Sequence, residues 1–115
     1  MDIFAYGTLQ LHGLVHSLIG RVPTMDPVVL PDHVRLGRGI YTTFPHLGEN
    51  VQGMLLRDLT PDEIKRFDRY EGCGHGYYER CDVTVRMADG STLSAQAYLG
   101  GPRAQGQYQD WLALQ

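Results

Sequence analysis

The segment Asp2-Ile3-Phe4-Ala5-Tyr6-Gly7-Thr8-Leu9 constrains this chain more than any other. Ile3 to Tyr6 is a short apolar run that reads as a buried strand. It runs straight into a glycine and a hydroxyl residue. Leu11, Leu14, Val15, Leu18 and Ile19 then follow the i, i+3, i+4, i+7, i+8 rule and predict one apolar helical stripe. Gly20 is placed to end that helix, and Gly13 weakens it modestly from within. A strand that turns sharply into a helix exposes backbone N–H groups at the strand end. Those groups can hold a small anionic group. Taken alone, the same glycine turn is also an ordinary strand-to-helix bend.

The rest of the chain alternates short patterns without a repeat, a linker or a low-complexity tract. Val28–Leu30, Val34–Leu36 and Val51–Leu56 are candidate strands. Pro31 and Pro45 are expected to break this region into short strands or edges, because proline cannot donate to a ladder. Thr60-Pro61-Asp62-Glu63 is a helix start: Thr60 as N-cap, Pro61 at the first helical position, Glu63 completing a capping box. That helix is expected to run through Ile64 and Phe67 to about Tyr70. Gly72 to Gly76 follows as a flexible loop. Cys81, Val83, Val85 and Met87 alternate with polar residues, and Asp89-Gly90 signals a two-residue hairpin turn. Leu93, Ala95 and Ala97 mark the return strand, Gly100-Gly101-Pro102 breaks it, and Tyr108, Trp111 and Leu112 fit a short terminal helix. The order predicts a single mixed α/β (α+β) domain over residues 1–115, built on one twisted sheet or small barrel.

Bulk composition narrows the class. The 115 residues are 43% apolar, enough for one packed core, and 14 glycines point to many tight turns. A formal net charge of −3 leaves no broad basic surface, so nucleic acid is not an expected partner. No apolar run approaches the ~20 residues of a membrane span, so no membrane is expected either. Two cysteines, Cys73 and Cys81, make no disulfide framework, and a reducing cytoplasm is the expected compartment. A monomer is the default for a domain of this size.

Two features carry chemistry. The first is the turn Tyr6-Gly7-Thr8-Leu9, where glycine lets a ligand approach the backbone and the Thr8 hydroxyl can donate or accept. It is not a phosphate-binding P-loop, since the lysine and second glycine are missing. The second is Glu71, at the end of a predicted helix. A carboxylate there meets the unfavourable end of the helix dipole, and burial among Tyr70, Tyr77 and Tyr78 would raise its proton affinity further. Such a group can act as base and then acid near neutral pH; a plain surface glutamate is the other reading. Together, an anion cradle and one isolated carboxyl suit a substrate that supplies its own nucleophile. Weaker constellations are His12 with His16, which lack a third metal ligand, the Cys73–His75–Cys81 set, whose spacing fits no zinc module, and Cys73–His75 as nucleophile and base.

Phe4 to Leu9 resembles the YGSL/YGTL motif of the γ-glutamylcyclotransferase-like (AIG2-like) family. Three further stretches agree in order: Val51-x-Gly53 with the central strand, Phe67-Asp68-Arg69-Tyr70-Glu71-Gly72 with the LDxYEG segment, and Tyr78-x-Arg80 with the YxR strand. The match is loosest from Val22 to Phe44. The resemblance implies a small barrel-like domain with a central cavity. It implies an enzyme that cyclises a γ-glutamyl group to 5-oxoproline and releases an amine or amino acid, without metal or cofactor. It implies Glu71 as catalytic acid/base, Tyr6, Gly7, Thr8 and Leu9 as the substrate-binding loop, and Tyr78 in the pocket wall. Phe67 replaces the family's usual leucine, and the glycine-rich loop Gly72–Gly76 departs from its simplest pattern. A binding module of the same fold without turnover, and a partner-binding domain, are the alternatives from other classes.

Overall fold

Five strands close into a barrel in the order β1-β3-β2-β4-β5, with three helices outside it. The computed structural model describes all 115 residues. The strands are β1 (Ile3–Ala5), β2 (Met25–Leu36), β3 (Thr42–Leu56), β4 (Tyr78–Met87) and β5 (Thr92–Gly100); the helices are α1 (His12–Ile19), α2 (Pro61–Glu71) and α3 (Gln105–Ala113). Neighbouring strands are antiparallel except at the seam. There β1 runs parallel to β5, with Ile3 opposite Gln96 and Phe4 opposite Ala97.

β1 explains why its sequence is apolar on every residue. Phe4 and Tyr6 belong to the core inside the barrel, with Leu30, Leu55 and Val85. Ile3 and Ala5 face a second core under the helices, with Val15, Ile64 and Phe67. A central strand buried on both faces loses the polar alternation of an exposed sheet. Tight approach at the β1–β3 pair also sets Gly53. A Cβ there would lie 2.3 Å from the Ala5 carbonyl oxygen and 2.8 Å from the Phe4 ring.

The prolines do not break β2 and β3, which is a correction to the sequence expectation. Each is one long strand, and the pair runs from Met25–Leu56 to Leu36–Thr42. The register shifts between Pro31, opposite Asn50, and His33, opposite Pro45. The bulge is absorbed by Asp32 in the left-handed region (φ 59°), whose carboxylate accepts from the Gly48 N–H at 3.0 Å. Beyond Val29, β2 pairs only with β3, so this half of the ribbon has a free edge. A proline without an N–H is tolerated along such an edge.

Two turns also differ from expectation. A short 3-10 turn, Thr8–Gln10, separates β1 from α1, and Leu11 is exposed rather than part of the buried stripe; only Val15 of that stripe is fully buried. In the β4–β5 hairpin the Gly90 N–H bonds to Met87 O and the Met87 N–H to Ser91 O, with Gly90 at φ 87°. This is a three-residue loop with glycine in the left-handed position, not a two-residue turn.

Gly13 lies inside α1, and a Cβ there would meet no atom within 4 Å. Gly13 is the second residue of the helix, so Gly13→Ala is expected to raise stability by roughly 0.5 kcal/mol, the low end of the helix-propensity difference. Thermal denaturation checks it; a lower melting temperature would contradict the open helix face.

Candidate active site

α2 begins where the sequence places it. The Glu63 N–H donates to Thr60 Oγ1 at 3.2 Å, and the Thr60 N–H donates to Glu63 Oε1 at 3.0 Å. Ile64 and Phe67 are fully buried in the core between helix and barrel. The helix ends at Gly72 in the left-handed conformation (φ 67°), with Gly72 N–H bonded to Arg69 O and Cys73 N–H to Asp68 O.

Asp68 fastens this end of the helix to two strands. Its carboxylate accepts from Arg80 Nε at 2.9 Å and Nη2 at 3.3 Å on β4. It also accepts from the Tyr98 hydroxyl at 2.7 Å on β5. Arg80 donates a further bond to Gln96 at 2.6 Å. With Phe67 and Asp68 fixed, the last residue of the helix, Glu71, is held at the wall of a cavity of about 310 Å³.

The turn Tyr6–Leu9 lines the same cavity. The first backbone bond of the turn runs from Gln10 N–H to Gly7 O at 3.1 Å. The N–H groups of Thr8 and Leu9 therefore have no partner within the turn. A Cβ on Gly7 would meet nothing within 4 Å, so the space over the turn is open. Tyr6 is buried; its hydroxyl donates to Tyr98 O, and its carbonyl accepts from Arg35 Nη1 at 3.2 Å. The Thr8 hydroxyl bonds to the Tyr70 hydroxyl at 2.9 Å, which ties the turn to the residue beside Glu71.

The electrostatics separate the groups. Burial pushes the Glu71 carboxyl from its ordinary value of 4.5 up to about 7. Burial, with Tyr78 and Glu71 beside it, pushes the Tyr6 phenol well up, so it stays protonated as a donor. Tyr78 is raised by burial as well, and its hydroxyl donates to Tyr41 O at 2.7 Å. Glu71 is the one charged residue that lines the cavity.

The structure thus brings Tyr6, Gly7, Thr8, Leu9, Glu71 and Tyr78 to one cavity. It adds a wall absent from the sequence expectation, Gly39-Ile40-Tyr41 in the β2–β3 connection, and the supporting pair Asp68–Arg80. The weaker constellations do not join them. Neither Cys73 nor His75 lines the cavity, and burial with the nearby Asp68 carboxylate pushes the Cys73 thiol up, opposite to an activated nucleophile. No three His, Cys, Asp or Glu side chains gather as a metal site, and His12 and His16 are exposed.

Known proteins share this frame. AIG2-like protein C of Arabidopsis thaliana is 34% identical over 102 residues, covering 85% of this chain and 58% of the relative. AIG2-like protein D of the same plant is 33% identical over 98 residues, covering 83% and 62%. This chain thus spans little more than half the length of the curated relatives it matches. An Arabidopsis thaliana protein solved in solution superposes with a TM-score of 0.76 at 26% identity, covering 98% of this chain and 80% of that one. A structure named gamma-glutamyl cyclotransferase superposes with a TM-score of 0.77 at 21% identity, covering 87% and 66%, which shows a common fold. A family profile matches residues 3–113, nearly the whole chain. The chain belongs to the gamma-glutamyl cyclotransferase, AIG2-like family.

Proposed function

We propose that this protein cyclises a γ-glutamyl group to 5-oxoproline and releases the attached amine, with Glu71 as the proton-transfer group. The observation that carries this reading is the placement of one half-buried carboxyl, raised to about 7, in the same cavity as an open backbone turn. The N–H groups of Gly7 to Leu9 hold the substrate α-carboxylate, as helix-start amides do. Tyr6, Thr8 and Tyr78 orient the rest of the γ-glutamyl moiety.

The bonds follow from that pose. Glu71 accepts a proton as the substrate α-amine attacks its own γ-carbonyl carbon, forming the ring C–N bond. The amide bond to the leaving amine then breaks, and Glu71 returns the proton to that nitrogen. A carboxyl with a pKa near neutrality does both tasks, because neither protonation state is strongly favoured. Ring closure is intramolecular, so holding the chain folded supplies several kcal/mol of the barrier. No step requires a metal or an organic cofactor.

The test is a panel of γ-glutamyl amino acids, γ-glutamylamines and γ-glutamyl-lysine, read by mass spectrometry for 5-oxoproline. Saturable release from at least one member is expected. A blank panel would overturn the reading and favour a module that binds an amino-acid-like ligand without turnover.

A further inference from the structure

The cavity is unusual in what its outer part lacks. Nine of its thirteen lining residues are aliphatic or aromatic, and Glu71 is the single charge. Its floor is buried: Phe4, Ala5, Tyr6, Leu9 and Tyr98 are at most 6% exposed. Its rim is not. Ile40 is 73% exposed and Tyr70 is 42% exposed, two large apolar surfaces facing solvent at the cavity edge. Tyr41 completes this wall, fixed by the Arg35 guanidinium 4.2 Å above its ring and by the bond from the Tyr78 hydroxyl to its carbonyl.

Resting on the cyclisation reading, which places the γ-glutamyl end at the turn, we infer that Ile40, Tyr41 and Tyr70 form the leaving-group subsite and select a neutral, apolar or aromatic amine. Two physical reasons converge. An aromatic or aliphatic leaving group would cover the exposed side chains of Ile40 and Tyr70 and gain the favourable transfer of apolar surface from water. A leaving group with its own carboxylate would enter a cavity whose only charge is also a carboxylate. Without a cation in the lining, that carboxylate finds no partner and meets like charge at Glu71. Two cations belong to this stretch and neither lines the cavity: Arg35 stacks on Tyr41 and donates to Tyr6 O, and the exposed Arg38 precedes Gly39. Lys65 and Arg69 lie in a separate groove between α1 and α2, with Tyr70 as the shared partition.

The test uses three γ-glutamyl amides of primary alkylamines, so that leaving-group chemistry stays comparable: phenethylamine, ethylamine and β-alanine. The expected order of kcat/KM for 5-oxoproline release is phenethylamide above ethylamide by at least roughly tenfold, the scale of added apolar contact in a pocket, with β-alanine lowest. Ile40→Ser, at an exposed position, is expected to shrink the phenethyl-to-ethyl ratio several-fold with an unchanged melting temperature. Equal rates on all three amides, or a preference for the β-alanine substrate, would overturn the subsite while leaving the cyclisation reading intact. An Ile40→Ser enzyme with the wild-type ratio would also overturn it. No 5-oxoproline from any of the three, nor from the wider panel, would remove the cyclisation reading and the subsite with it.

Discussion

Glu71→Gln is expected to lower kcat/KM for 5-oxoproline release by roughly 10³-fold, the scale of one positioned acid/base group, while the fold is kept. Glutamine preserves the size and polarity of the side chain at the end of α2 and removes only its ability to exchange a proton. The anchors that set this position, Phe67 in the core and Asp68 on Arg80 and Tyr98, are untouched. Stability supplies an independent check. Burial raises the folded-state carboxyl from 4.5 to about 7, so the unfolded chain ionises first as pH rises. Its contribution is therefore fully present below about pH 4.5 and is lost as pH rises to about 7. Glu71→Gln removes that loss. Above pH 7 the variant should be more stable than the wild type by roughly 2 kcal/mol, at 1.36 kcal/mol per unit discounted for the partial exposure of the group. Full turnover in Glu71→Gln would remove the carboxyl from the mechanism. An unchanged pH dependence of stability would remove the premise that folding takes this ionisable carboxyl partly out of water.

Gly53→Ala is expected to cost roughly 3 kcal/mol, the upper range for forcing a methyl into a packed site. The new Cβ would lie 2.3 Å from the Ala5 carbonyl oxygen, a backbone atom that cannot rotate away. Ala5 pairs with Met54 and leads directly into Tyr6 and Gly7, so any adjustment also moves the turn that lines the cavity. Urea denaturation should show a lower midpoint with an unchanged slope. A loss below about 0.5 kcal/mol, the scatter of neutral surface changes, would contradict the close approach of β1 and β3.

How far the sequence reaches is set by the range of the forces involved. The α2 start was readable because a capping box is a four-residue device, and the structure forms both of its bonds. The β4–β5 hairpin was readable from its alternation and Asp89-Gly90, although a third residue enters the loop. The β2–β3 ribbon was not, because whether Pro31 and Pro45 break a strand depends on which edge faces a neighbour. That is decided by the barrel closing, not by local sequence. The same limit hid part of the site. Glu71 and the turn Tyr6–Leu9 stood out because a family resemblance linked them. Ile40 and Tyr41 lie in the loosest stretch of that resemblance and reach the cavity only through the long ribbon. The glycine of Val51-x-Gly53 and the arginine of Tyr78-x-Arg80 appeared as motif letters. Their physical meaning, a backbone contact with Ala5 and an ion pair with Asp68, needed the fold.

On the proposed mechanism, the half-buried carboxyl of Glu71 takes the proton from the attacking amine. The pH dependence of kcat/KM for 5-oxoproline release, measured on the best substrate of the panel, tests it most directly. The rate should climb about tenfold per pH unit in the acid range, as for a single essential base, and level off near the raised value of about 7. A flat profile across this range, or a limb at the ordinary carboxylate value of 4.5, would contradict it.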